Sequence, residues 1–108
     1  YMKMGIFQSA AVIYGKLLAL EPEVEDVAVN LSGAYYSLDE LEKAIGVCED
    51  FLIAHPFSPD ILFNLAGYYR LADRGDEARE LYNLYVQMGD EAHRKDEAFR
   101  VLKELELP

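Results

Sequence analysis

The sequence predicts an all-α protein built from helix pairs, and three observations lead to that prediction. Residues of like type recur 34 positions apart along the chain. Between these positions the apolar residues are spaced three and four apart, which places them on one face of a helix. No stretch alternates polar and apolar residues for as long as a strand requires. We therefore expect about six helices in antiparallel pairs.

The 34-residue period joins positions that would form the core of successive units. The sets that span three units are Tyr1, Tyr35 and Tyr69; Ala10, Ala44 and Ala78; Tyr14, Cys48 and Tyr82; Leu17, Phe51 and Tyr85; and Leu18, Leu52 and Val86. A single helix pair cannot bury its apolar face alone, so units with this period stack on one another. The recurring alanines predict sites where two helices cross closely.

Apolar spacing and turn residues together place the six helices. The predicted ranges are about 4–20, 24–37, 39–54, 59–72, 75–88 and 91–106. Pro22 and Pro56 end the first and third helices, because the residue before a proline avoids the α region. Ser58, Pro59 and Asp60 together form a helix start, with a cap, a first-turn proline and an acid at the positive end of the dipole.

Two shorter signals place further helix ends. Ser37, with Glu40 three residues later, has the spacing of a capping box and predicts the start of the third helix. Gly89 and Asp90 predict the end of the fifth helix. The connections are short, which favours antiparallel neighbours.

The repeating unit resembles the tetratricopeptide repeat (TPR). The residues that match its pattern are Asn30, Leu31, Ala34, Tyr35, Tyr36, Ala44 and Pro56 in one unit, and Asn64, Leu65, Tyr69, Ala78 and Tyr82 in the next. The resemblance implies a right-handed superhelix that binds proteins in a concave groove. It divides a single domain, 1–108, into a partial repeat at 1–22, repeats at 25–58 and 59–92, and a capping helix at 93–108.

Composition excludes several classes of partner and site. The chain has 108 residues, 10 basic and 20 acidic, for a net charge of −10, which argues against nucleic acid and anionic membranes. Residues 21–60 hold ten of the acids and only one base, Lys43. Since Cys48 is the single cysteine, an internal disulfide and a multi-cysteine zinc site are excluded. No apolar run is long enough to span a membrane, and no signal peptide is evident. We expect a cytoplasmic protein, and the Tyr1 start suggests a fragment of a longer one.

The sequence predicts no catalytic residue, cofactor or metal site. His55 stands at a helix end, His93 in a charged helix start and Cys48 in a core position, and none has a visible catalytic partner. Adjacent carboxylates on a helix point about 100° apart, so pairs such as Glu49 and Asp50 do not face each other. We expect a protein that is not an enzyme.

The first helices of successive units predict a binding groove for a partner. By the 34-residue register, its residues are Asp26, Val29, Asn30, Gly33 and Tyr36 from one unit, and Asp60, Phe63, Asn64, Gly67 and Arg70 from the next. Apolar side chains that face solvent indicate a binding surface, and we expect this of Val29, Tyr36 and Phe63. The asparagines can bond a peptide backbone, and the glycines leave room for close approach.

The groove residues also predict the charge of the partner. Some TPR proteins bind the C-terminal carboxylate of a partner with a clamp of basic residues. Here Asn30 matches one clamp position, but Asp60 and Asn64 stand where the clamp has basic residues, so such a clamp is not expected. Asp26 and Asp60 favour a neutral or basic protein or peptide, mainly through association rate and choice of partner.

Three functions fit these observations. The first is a noncatalytic interaction module or scaffold, and the second is a small acidic chaperone that resembles the TPR chaperones of type III secretion. The third is a structural segment of a larger TPR protein. The first helix has no helix before it to cover its apolar residues Ile6, Phe7, Val12 and Ile13. We therefore expect either a missing preceding helix or a homodimer formed through this helix.

Overall fold

The computed structural model describes residues 2–88 and 94–106, which form six α-helices and no strand. The helices are α1 (Met2–Leu20), α2 (Glu25–Ser37), α3 (Leu41–Ala54), α4 (Pro59–Leu71), α5 (Gly75–Val86) and α6 (Lys95–Glu106). The predicted all-α helical repeat is therefore confirmed. The predicted end of the fifth helix at Gly89 and Asp90, like His93, lies outside the described residues.

The helices stack in chain order, and this order brings the first helices of successive repeats together. Each helix packs on the next one along the chain, and α2 also contacts α4. The result is an elongated body of 39 × 29 × 20 Å. Within the described ranges, no helix combines the length and apolar character needed to cross a membrane.

The aligned core positions are buried in the second and third repeats. Ala44, Ala78 and Cys48 are fully buried, and Tyr82 and Tyr85 are nearly so. Small side chains at the two alanines allow close packing, and the tyrosines fill the remaining space. The equivalent positions of α1, namely Ala10, Tyr14 and Leu17, are half-buried or exposed, since α2 is the main helix that packs on α1.

The same turn joins α2 to α3 and α4 to α5. Asp39 and Asp73, which are 34 residues apart, take left-handed backbone conformations with φ of 60° and 61°. In the first turn the Asp39 N–H donates to the Tyr36 carbonyl at 3.0 Å, and the Glu40 N–H donates to the Tyr35 carbonyl at 2.9 Å. Matching bonds recur in the second turn. This is a Schellman motif, which satisfies the last carbonyls of the first helix in each pair.

Two of the predicted helix starts differ from the structure in detail. The capping box is wrong: Ser37 is the last residue of α2, and α3 begins at Leu41, because Asp39 closes the Schellman turn. Ser58 is the N-cap of α4 and Pro59 follows in its first turn, as predicted. The Ser58 hydroxyl, however, makes no capping bond and instead donates to the Glu25 carboxylate on α2. That bond ties the two neighbouring first helices together.

Glycine at the two left-handed positions is expected to stabilise the protein. Asp39→Gly and Asp73→Gly should each raise the free energy of unfolding by up to about 1 kcal/mol, because glycine has no Cβ to clash in this conformation. Urea unfolding followed by circular dichroism measures the change. Asp50→Gly, at an exposed position inside α3, is the matched control and should lower stability by about 0.5–1 kcal/mol. A loss at all three positions would contradict the explanation.

Candidate functional site

Two adjoining cavities lie along α2 and α4, and we call them together the groove. The first, of about 450 Å³, lies among α1, α2 and α4. The second, of about 610 Å³, lies among α2, α4 and α6, with Tyr82 of α5 also in its wall. Asn64 and Tyr68 line both cavities, so the two meet at the middle of α4.

Eight of the ten sequence-predicted partner-binding residues line the groove. The first cavity takes Val29, Asn30 and Gly33, and the second takes Tyr36, Phe63, Asn64, Gly67 and Arg70, with Asn64 shared. Asp26 and Asp60 line neither cavity. They lie at the N-terminal ends of α2 and α4, where their carboxylate oxygens and one of Glu25 are all within 4.8 Å of one another. That these residues bind a partner stays a prediction.

The expectation that three apolar groove residues face solvent is only partly right. Tyr36 is 48% exposed, but Val29 is half-buried against the core and Phe63 is only 8% exposed. The Phe63 ring packs against Tyr82 and Tyr85, with centroid distances of 5.8 and 5.2 Å. Phe63 is therefore mainly a core residue whose edge reaches the groove, because α5 covers it.

Arg70, the basic residue predicted in the groove, forms an ion pair with Glu104. One guanidinium nitrogen of Arg70 lies 2.5 Å from a Glu104 carboxylate oxygen, across the interface between α4 and α6. Both side chains are about half exposed, so the pair contributes at most about 1 kcal/mol to stability. Its main effect on the groove is electrostatic: Glu104 neutralises the charge of Arg70, which weakens its attraction for an acidic ligand.

Sequence reasoning missed the groove residues of α1, α5 and α6, and on α4 it missed Tyr68. Its ring lies 5.6 Å from that of Tyr36, and its hydroxyl donates to the buried Ser32 hydroxyl at 3.4 Å. Burial is the main cause that raises the pKa of Tyr68. The repeat register aligns Tyr68 with Ala34 and so gave no reason to expect an aromatic ring there. Its spacing of four from Asn64, on the same helical face, was the available signal.

The two cavities differ in chemistry. Apolar side chains of α1, chiefly Ile6, Phe7 and Ala10, line the first together with uncharged polar groups, and the first has no charged side chain in its lining. Hydroxyl, amide and charged groups are more frequent in the second, whose lining includes Tyr36, Asn64, Tyr68, Arg70, Tyr82 and Glu97. A Cβ built at Gly33 would meet nothing within 4 Å, and one at Gly67 would meet only the Tyr82 hydroxyl at 3.7 Å. There is space for a ligand above both glycines.

The described titratable groups form no catalytic arrangement. Cys48 is buried, and burial is the main reason that its pKa rises to about 11, so it stays a neutral thiol at physiological pH. His55 caps the end of α3 with its ring stacked on Phe51 at 4.6 Å. Glu25, Asp26 and Asp60 are close enough to share a metal ion, but acids gather at helix N-termini without one, and we assign no metal site here.

Comparison with known proteins identifies the fold. No protein-family model and no curated protein matches the chain. Its structure is similar to that of PcrH, solved in complex with the chaperone binding region of PopD, with a TM-score of 0.80 and 16% identity over 94% of this chain and 79% of PcrH. It is also similar to the type III secretion translocator chaperone SycD of Yersinia enterocolitica, with a TM-score of 0.76 and 17% identity over 94% of this chain and 71% of SycD. At these identities the likeness shows the fold alone.

The buried thiol predicts that stability falls in alkaline solution. In the unfolded chain Cys48 loses its proton at the ordinary pKa of 9.0, whereas in the folded protein it keeps the proton up to about pH 11. The contribution to stability is complete below pH 9 and is lost as the pH rises towards 11. Burial raises the pKa of Tyr68 and Tyr82 in the same direction.

Urea unfolding at pH 8, 9 and 10 measures this slope. Cys48→Ala has no thiol and should show a shallower fall than the wild-type protein, even though the smaller side chain lowers its stability at every pH. Parallel slopes for the two proteins would contradict the assignment of the effect to Cys48.

Proposed function

We propose that the chain is a noncatalytic protein-binding module that holds an extended segment of a partner protein in the groove, as a chaperone for that partner. The observation that carries the proposal is the pair of adjoining cavities along α2 and α4, with free space above Gly33 and Gly67. The fold adds support, since PcrH was solved with the chaperone binding region of PopD and SycD is a translocator chaperone.

The groove residues suit a segment whose side chains differ along its length. Asn30 and Asn64 each offer a donor and an acceptor for the backbone of such a segment. An aliphatic side chain would enter the first cavity, against Phe7 and Val29. A polar or aromatic side chain would enter the second, where Tyr36 and Tyr68 present rings and hydroxyls.

We expect the partner to be neutral or basic. The chain carries a net charge of −10, and Arg70 is neutralised by Glu104. Glu97 also lines the second cavity, and a basic segment would meet fewer like charges there than an acidic one. Charge of this kind acts mainly on association rate and choice of partner. A cytoplasmic location, without nucleic acid or membrane as partner, belongs to the same proposal.

Filling the space above Gly33 is expected to block binding. Gly33→Gln adds a long neutral side chain into the first cavity, and its Cβ would meet nothing within 4 Å. Retention of the protein on immobilised peptides with alternating apolar residues and neutral, basic or acidic flanks measures binding. The wild type should be retained by a neutral or basic subset, and Gly33→Gln should weaken the best of these at least about tenfold, which corresponds to about 1.4 kcal/mol.

Gly46→Gln provides the matched control for this experiment. Gly46 lies on α3, outside the groove, and a Cβ there also meets nothing within 4 Å. Both changes replace a helical glycine and should raise stability similarly, by up to about 1 kcal/mol. Equal binding by the two variants, or retention by none of the peptides, would count against the groove.

We also propose that α1 takes part in self-association. Ile6, Val12 and Ile13 are each more than half exposed. Ile6 and Ile13 border a cavity of about 560 Å³ on α1, next to Ala10 and Tyr14. A second copy would cover this face and remove apolar surface from water.

A negative charge introduced on the exposed apolar face of α1 should dissociate the dimer. Sedimentation equilibrium should show a dimer for the wild type and a monomer for Ile13→Glu, because burial of an unpaired carboxylate is costly. Phe99→Glu, at a similarly exposed position on α6, is the control and should remain dimeric. A wild-type monomer at high micromolar concentration would exclude this interface.

A further inference from the structure

A second surface lies where α1 joins α2 and α3 joins α4. Three large apolar side chains on these connections and helix ends are mostly exposed: Leu20 by 78%, Ile53 by 83% and Phe57 by 64%. Beside Phe57 is a cavity of about 490 Å³, which we call the loop-edge pocket. No residue that lines this pocket lines the groove.

The walls of the loop-edge pocket combine aromatic rings with carboxylates. Phe51 and His55 stack at a centroid distance of 4.6 Å on one side, and Phe57 stands nearby on the following turn. Glu23, on the connection between α1 and α2, and Glu25, the first residue of α2, also line the pocket. Aromatic faces attract cations, and carboxylates pair with them in fork-like geometry. A planar guanidinium can stack on an aromatic ring and pair with a carboxylate at the same time.

Hydrogen bonding fixes one of these carboxylates. The Ser58 hydroxyl, which is buried, donates to Glu25. Glu25 is also the first residue of α2, where the helix dipole favours its negative charge. The pocket therefore presents a charge that is already oriented before a ligand arrives, which lowers the entropic cost of binding.

The charge around the pocket is uncompensated. Glu21, Glu23, Asp26 and Asp60 are exposed, and none of the ion pairs formed within the described ranges includes them. A basic segment would relieve their mutual repulsion, whereas an acidic segment or a second copy of this acidic chain would increase it. Charge complementarity thus selects the occupant of the exposed apolar surface.

We infer that the loop-edge pocket docks an arginine-bearing apolar segment of a partner protein. The guanidinium lies between Glu23 and Glu25, against the ring of Phe57, and apolar neighbours of the arginine cover the exposed part of that ring. This docking does not depend on the groove, so one surface can be occupied while the other is empty.

The test uses a fluorescein-labelled peptide of alternating arginine and leucine residues and measures binding by fluorescence anisotropy. Phe57→Ala should weaken binding about tenfold, and Glu23→Gln by several fold, because each removes one wall of the pocket. The same peptide with citrulline in place of arginine keeps the shape but loses the charge, and it should bind at least about tenfold more weakly. In ¹⁵N NMR titrations the shifts should concentrate in residues 20–26 and 51–60.

Matched variants separate this site from general attraction and from the groove. Phe99→Ala removes an exposed ring on α6, and Glu42→Gln removes an exposed charge on α3. Both should leave the affinity unchanged within about twofold. Because a basic peptide with alternating apolar residues also suits the groove, the comparison is repeated in the Gly33→Gln background, where Phe57→Ala should still weaken binding about tenfold. Weakening by Gly33→Gln with no effect of Phe57→Ala would assign the peptide to the groove and overturn the inference.

Two further outcomes would also overturn it. Equal binding of the arginine and citrulline peptides would show that charge does not select the occupant. Shifts in the same residues when the protein alone is diluted would identify a second copy of the chain as the occupant. Because the groove test uses Gly33→Gln and this test uses Phe57→Ala, either proposal can fail while the other stands.

Discussion

Close packing at Ala44 and Ala78 is the constraint on which the rest of the structure depends. Both side chains are fully buried, and side chains this small allow α3 and α5 to lie close to the helices packed on them. The Schellman turns at Asp39 and Asp73 give both helix pairs the same connection. Two pairs of similar geometry stack with α2 beside α4, and the groove runs along these two helices, with α1 forming a wall at one end and α6 at the other.

The end of the groove is set by α6, which continues the register of the first helices. Tyr36, Arg70 and Glu104 are equivalent positions 34 residues apart. The ion pair between the second and third of these ties α6 to α4. The Arg94 guanidinium lies 5.0 Å from the ring centroid of Phe63, and its backbone N–H donates to the Tyr85 hydroxyl at 2.8 Å. At this end of the groove, Arg70 and Phe63 therefore also make contacts that hold α6 in place.

The 34-residue period was sufficient to predict the fold, and it predicted the part of the groove lining that α2 and α4 supply at equivalent positions. A register states which positions of successive helices are equivalent, so it placed Asn30 and Asn64, or Gly33 and Gly67, on one face. The register does not predict which side chains of other helices pack over a given position. The register predicted that Phe63 faces solvent. In the structure Tyr82 and Tyr85 of α5 cover its ring, and the register gives no information about that contact. Tyr68 was missed because its equivalent is an alanine, and the third helix was started too early because the turn at Asp39 prevails over a nearby capping signal.

The position of the negative charge distinguishes the loop-edge pocket from the groove. The sequence suggested that Asp26 and Asp60 select charge within the groove, but they lie at the N-terminal ends of α2 and α4, beside Glu25. The groove itself holds few charges, and Arg70, one of them, is paired. If the groove binds a segment, shape, apolar contact and backbone hydrogen bonds would supply most of its affinity, and such contacts depend little on salt. Glu21, Glu23, Glu25, Asp26 and Asp60, half of the acids in residues 21–60, lie instead at or next to the connections from α1 to α2 and from α3 to α4. Salt would screen the attraction between these charges and a basic partner. A partner that contacts both surfaces would be attracted by the charge at the loop-edge pocket and selected by its fit to the groove.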